Sequence, residues 1–190
     1  MRVVVALVAL VALTACSNAG RPAPPDPPVT AASGTGPPCV PAATPAASPA
    51  VPAGGELIPD LGLACFTGGS TIRLRALGRP AVINLWGSWC TPCRRELPAL
   101  NTFAQRGTVL VLGVATKDTR SAAGSIIDDL GLRFPNLYDR EARLLEAIGS
   151  LPMPITLFVS ADGTTAYTHR AGALDEAGFE RLVREHLGVR

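Results

Sequence analysis

The chain is predicted to be one α/β domain, a single mixed sheet with helices on both faces, preceded by a long segment that does not fold with it. Two observations carry this. Apolar runs of strand length at 81–86, 109–114 and 155–159 alternate with stretches of helical periodicity, the pattern of a sheet covered by helices. Eleven of the 18 prolines fall between Pro22 and Pro52, so the N-terminal quarter and the remainder differ in kind. At 190 residues there is room for one domain and an extension. A hydrophobic content of 47% supplies a core. The formal charge of +2, the pI near 8.4 and the absence of any charge run exclude a nucleic-acid footprint. Lysine occurs once, at Lys117, against 16 arginines, a matter of composition rather than chemistry.

Taken in order, Met1-Arg2 is followed by an apolar run over 3–13. That is too short to span a bilayer, which takes about 20 residues, and it has the form of a secretory signal peptide over 1–15. It ends in Leu13-Thr14-Ala15-Cys16, which resembles the lipobox of bacterial lipoproteins, where the cysteine becomes the first residue and carries lipid. The expectation is a lipid on Cys16 and anchorage to the outer face of the cell membrane. One acyl chain holds only weakly, so stable anchoring takes several. A plain signal peptide cut near Ala15, with Cys16 a bystander, is the alternative. Residues 16–55 are Pro, Ala, Ser, Gly and Thr with almost no large apolar side chain. They cannot offset their ordering entropy by burial and form a semi-extended tether. The folded domain is 56–190.

Within it, Ile72-Arg73-Leu74-Arg75 alternates and predicts a short half-buried strand. Residues 81–86 and 109–114 predict strands buried on both faces. A helix starts between Cys90 and Cys93 and runs to about Gln105; two more are expected at 122–130 and 141–148. A strand at 155–159, an Asp162-Gly163 hairpin turn, a return strand at 165–169 and a helix at 175–187 complete the chain.

There are five cysteines: Cys16, Cys39, Cys65, Cys90 and Cys93. With Cys16 assigned to lipid, four remain in an exported chain and allow two disulfides in three pairings. Cys90 and Cys93 follow a buried strand directly and open a helix. Free N–H groups and the positive dipole end there favour a thiolate, the attacking species in disulfide exchange. The first cysteine is expected to face solvent and attack, the second to lie one turn in and resolve the mixed disulfide. Half a zinc site has the same spacing, but Cys39, Cys65, His169 and His186 are too scattered to supply the other ligands. No metal is expected.

Residues 86–98, Trp-Gly-Ser-Trp-Cys-Thr-Pro-Cys-Arg-Arg-Glu-Leu-Pro, resemble the active-site segment of the thioredoxin superfamily. They are most similar to its membrane-anchored extracytoplasmic branch, the TlpA/ResA/CcmG-like thiol-disulfide oxidoreductases. The likeness runs from about Leu57 to Arg190 and takes in Leu112-Gly113-Val114, Tyr138-Asp139, and Met153-Pro154-Ile155-Thr156-Leu157-Phe158 followed by Asp162-Gly163. It implies a thioredoxin-like fold with an N-terminal hairpin extension and an extra helix before Tyr138. It makes Pro154, rather than its competitor Pro152, the cis-proline facing Cys90 and Cys93. It places Met153 beside the thiolate, and groups Trp89, Thr91, Pro92, Met153 and Pro154 as substrate contacts. Pro98, inside the active-site helix, matches the family's kink. Glu96 matches an active-site glutamate of the branch and shares a helix face with Cys93; it is expected to tune the thiols and move a proton, the alternative being a solvated first-turn glutamate. Asn84 stands where cytoplasmic thioredoxins place a buried aspartate, and an amide cannot take up that proton. Trp86 is expected in the core, Arg94 and Arg95 in solvent, His169 simply in a strand.

Cys39 and Cys65 are expected to form a structural disulfide, the default in an oxidising compartment; members of actinobacterial appearance carry a similar pair. A second exchangeable pair is the alternative. The resemblance implies no cofactor beyond the redox-active Cys90–Cys93 disulfide. It implies exported protein substrates with disulfides, such as apocytochrome c or copper-site proteins, a membrane electron donor of the DsbD/CcdA kind, and a monomer. The reductive direction is expected. A disulfide-forming oxidase on the same site is the alternative, followed by a copper-binding chaperone using Cys90, Cys93 and His169. A thiol peroxidase would need threonine where Gly87 stands.

Overall fold

Among the described residues, eight strands form one sheet in the order β1-β8-β7-β4-β5-β6-β2-β3. The computed structural model describes Cys39, residues 56–149 and residues 152–189; the signal segment, Cys16 and the rest of the tether lie outside the described residues. The elements are β1 (Glu56–Leu57), β2 (Gly62–Cys65), β3 (Thr71–Arg73), β4 (Ala81–Trp86), α1 (Thr91–Ala104), β5 (Leu110–Thr116), α2 (Arg120–Asp129), β6 (Asn136–Asp139), α3 (Arg143–Ala147), β7 (Ile155–Val159), β8 (Thr164–His169) and α4 (Glu176–Leu187). Strands β4, β5 and β6 run parallel, and the remaining pairs are antiparallel. Leu57 and Gly62 lie six strand positions apart in that order. Five residues of chain reach about 18 Å, whereas six flat spacings would need about 29 Å, so the sheet curls to bring its edges together.

The central strand explains the two-layered core. Every residue of β4 is buried, and alternate side chains point to opposite faces. Val82 and Trp86 join Leu97, Leu100 and Phe103 of α1, Ile127 of α2 and Phe179 and Leu182 of α4. Ala81, Ile83 and Leu85 join Ile58, Leu63, Ile72 and Leu74 of the N-terminal segments and Leu144 of α3. Asn84 shares the parity of Val82 and Trp86, so it faces the helix that begins at Cys90.

The structure corrects several element expectations. Only Ile72 and Arg73 of the predicted 72–75 strand are extended; Leu74–Ala76 is a single 3-10 turn. Strands β2 and β3 form the expected N-terminal hairpin, whereas β1 and β6 lie outside the predicted strands. Each of the latter has two to four residues and exists through pairing with partners remote in sequence. Cys65 ends β2, within the hairpin that β2 forms with β3. The third helix is shorter than 141–148, because the buried Asp139 carboxylate accepts the N–H groups of Arg143 and Leu144 and sets its start.

Trp86 is buried, with its indole N–H donating to Asn136 Oδ1 at 2.9 Å. Gly113, beside it on β5, has no room for a side chain. A Cβ there would stand 2.0 Å from Asn136 Oδ1 and 2.9 Å from Trp86 Nε1. Gly113→Ala is therefore expected to break this buried hydrogen bond and strain the core, costing about 2–4 kcal/mol. The check is a lowered urea midpoint at unchanged m-value.

Candidate active site

Cys90 is the N-cap of α1, with Pro92 in the first turn, where its missing N–H has no intrahelical partner to lose. Its Sγ accepts the backbone N–H of Cys93 at 3.3 Å. The two cysteines are disulfide-bonded, with Cα atoms 5.3 Å apart. Cys93 is fully buried, and Cys90 keeps only 5% exposure. The expectation that Cys90 faces solvent needs correcting: the Met153 carbonyl oxygen stands 3.8 Å from its sulfur, and only a narrow part of the residue remains open. The Met153–Pro154 peptide is cis. Pro154 is buried and Pro152 exposed. Thr91 is exposed, and Pro92 and Met153 are half-buried. Trp89 is the only large hydrophobic residue exposed among the described residues, at 55%. Arg94 and Arg95 lie in solvent on the outer face of α1.

Glu96 is not a solvated first-turn residue. It is 1% exposed, on the buried face of α1 that also carries Cys93. Its Oε2 accepts the amide N–H of Asn84 at 3.0 Å, and its Oε1 accepts the backbone N–H of Leu174 at 2.9 Å. The Asn84 amide also donates to Thr156 Oγ1 at 3.0 Å, while its Oδ1 is buried without a partner. Burial pushes the Glu96 carboxyl above the ordinary glutamate range, and the hydrogen bonds from Leu174 and Asn84 oppose this only partly. A carboxyl whose pKa is raised by burial thus sits one turn beyond Cys93.

A second carboxylate, Asp118, was not anticipated. It is 7% exposed, and it accepts the Ser88 N–H at 2.5 Å and the Ser88 hydroxyl at 2.9 Å. The local sequence offered only an acid after a buried strand; the partner lies 30 residues earlier. His169 is engaged elsewhere, with Nε2 3.2 Å from the Gly172 carbonyl oxygen and its ring near Tyr167. The described residues contain no group of three His, Cys, Asp or Glu side chains arranged to hold a metal ion.

A family model described as Redoxin matches residues 52–183. The chain belongs to the Redoxin family. This Redoxin chain is 31% identical over 112 residues to the thiol-disulfide oxidoreductase ResA of Geobacillus thermodenitrificans, covering 57% of itself and 64% of that protein. It is 36% identical over 107 residues to the thiol:disulfide interchange protein DsbE of Yersinia pestis, covering 56% of each. It therefore spans between half and two thirds of these curated relatives. Among solved structures, it is similar to a secreted disulfide oxidoreductase of Mycobacterium tuberculosis homologous to Escherichia coli DsbE. That match has a TM-score of 0.59 and 25% identity, and covers 66% of this chain and 96% of the other. A secreted thiol-disulfide isomerase of Corynebacterium glutamicum shares the fold, with a TM-score of 0.61 and 24% identity over 74% of this chain and 89% of that one. The Redoxin domain is thus thioredoxin-like, as the motif order implied. No helix among its described residues is long and apolar enough to cross a membrane.

Proposed function

We propose that the chain is a thiol-disulfide oxidoreductase of exported proteins, held at the outer face of the membrane by lipid on Cys16 and working in the reductive direction. The observation that carries the reading is the Cys90–Cys93 pair at the N-terminus of α1, with a backbone N–H already aimed at the Cys90 sulfur. The names of the ResA and DsbE relatives support it.

In the reduced protein the Cys90 thiolate attacks one sulfur of a substrate disulfide. The substrate S–S bond breaks, a mixed disulfide forms, and the departing substrate thiolate takes a proton. Cys93 then loses its proton and attacks Cys90 Sγ. The mixed disulfide breaks, the second substrate thiol leaves, and two electrons have moved from the protein to the substrate. Glu96 is the proposed acceptor of the Cys93 proton. The substrate contacts are Trp89, Thr91, Pro92 and the backbone at Met153 and Pro154. The electrons travel through the cysteines without a further cofactor, and a membrane donor of the DsbD/CcdA kind restores the dithiol. Cys39–Cys65 serves as a structural staple at the end of the tether. The domain acts as a monomer and without nucleic acid.

Equilibration of the soluble domain in thiol redox buffers tests the direction. A potential near or below about −270 mV fits a reductase, and one near about −120 mV would make it an oxidant. Glu96→Gln tests the proton. The resolving step is expected to slow about 100-fold and to lose one ionisation from its pH profile; an unchanged profile removes Glu96 from the mechanism. Stability provides the second readout. The folded-state pKa is raised, so the native protein binds this proton more tightly than the unfolded chain. This group's contribution to stability is fully present below the unfolded value, about 4.3, and is lost as pH rises through the raised one. Glu96→Gln lacks that loss, so its urea midpoint is expected to gain on the wild type as pH rises.

A further inference from the structure

Trp89 is exposed but not loose. Its indole N–H donates to the Lys117 carbonyl oxygen at 3.0 Å. The ring lies against Gly87, where a Cβ would stand 2.7 Å from Nε1 and 2.9 Å from Cε2. Lys117 has φ of 52°, in the left-handed region. A residue with a Cβ stays there only when its surroundings over-determine it, and here they do. The Lys117 N–H donates to the Asp139 carbonyl at 3.0 Å. The Asp118 carbonyl accepts the Tyr138 hydroxyl at 3.0 Å. The Asp118 carboxylate takes the Ser88 N–H and hydroxyl together with the Thr119 N–H at 2.8 Å. Two adjacent residues, Lys117 and Asp118, thus hold two adjacent residues, Trp89 and Ser88, immediately before Cys90.

We propose that Asp118 is a positioning residue that locks Lys117 in its left-handed conformation and Ser88 on the turn, so that Trp89 stands pre-oriented as a platform for the apolar segment flanking the disulfide of a protein substrate. This rests on the oxidoreductase reading above. Such an exposed indole presents a large apolar face, and fixing it beforehand removes an ordering cost from binding. Small disulfides, which do not reach the platform, gain nothing from it.

The test compares wild type, Trp89→Ala, Asp118→Asn and the double variant in reducing insulin and oxidised glutathione. Asp118→Asn is expected to raise KM for insulin about five- to tenfold. Its kcat, its rate with glutathione and the potential of the Cys90/Cys93 pair stay within twofold or unchanged. Trp89→Ala raises KM for insulin at least as far, and the double variant is no worse than Trp89→Ala alone. Ser88→Ala, which removes only one bond of the clamp, gives a smaller change in the same direction. Effects that multiply in the double variant, or an Asp118→Asn loss shared equally by glutathione, would overturn the proposal in favour of a merely structural acid. Fluorescence anisotropy decides the clamp independently of turnover, because Trp86 is buried and Trp89 carries the solvent-accessible emission. Asp118→Asn is expected to lower it, and an unchanged anisotropy also overturns the proposal. A wild type inactive on both disulfides would sink the oxidoreductase reading, with the anisotropy still deciding the clamp.

Discussion

Cys93→Ala is expected to stop turnover at the mixed disulfide and to accumulate a covalent complex of Cys90 with its substrate. The first step survives because the group that serves the Cys90 sulfur is the backbone N–H of residue 93, 3.3 Å away, which alanine retains. The second step fails because its nucleophile is gone. In the wild type that nucleophile is held one helical turn from its target, fully buried and with Cα atoms 5.3 Å apart. Well-oriented intramolecular reactions have effective molarities of about 10⁵ M and above, far beyond what a millimolar external thiol offers. Turnover is expected to fall at least about 10³-fold, some 4 kcal/mol of barrier. Cys90→Ala should be equally inactive but yield no complex. Non-reducing gels and intact mass distinguish the two. A Cys93→Ala protein that still turns over, or a Cys90→Ala protein that traps substrate, would reverse the assignment of attacking and resolving sulfurs.

Removing the other disulfide should act on stability rather than on turnover. Cys39 and Cys65 are bonded across 26 residues, with Cα atoms 5.7 Å apart. In the chain-entropy account a closed loop of that length constrains the unfolded chain by about 3–4 kcal/mol. Cys65 is buried at the end of β2, where it pairs with Leu137 of β6. The double variant Cys39→Ser, Cys65→Ser is expected to melt on the order of 10 °C lower. Its rate with small disulfides, where it is folded, should be that of the wild type. A variant of undiminished stability would mean that the bond is not a staple, and a loss of rate at full folding would point to an exchangeable second pair.

The long elements were readable because they carry their own signal. Strand β4 is an unbroken apolar run apart from Asn84, α1 opens on its cysteines, and β7 and β8 flank an Asp-Gly turn. The alternation at 72–75 misled because two residues of it belong to an edge strand and two to a 3-10 turn. Strands β1, β2 and β6 are too short to show periodicity. They are strands only because β8, β6 and β5 supply their hydrogen bonds.

The site divides in the same way. Sequence alone placed Cys90 and Cys93 at a strand-to-helix junction and put Glu96 on the helix face of Cys93, since spacing within one helix is a local property; Pro154 was implied by the family resemblance. Tertiary structure decided how Glu96 behaves, by enclosing it between Asn84, 12 residues before it, and Leu174, 78 after it. It decided that Cys90 is nearly covered, through a carbonyl 63 residues away. It decided too that Asp118 grips Ser88. Burial and hydrogen-bond partners are set by neighbours in space, and a carboxyl's hold on its proton follows from them.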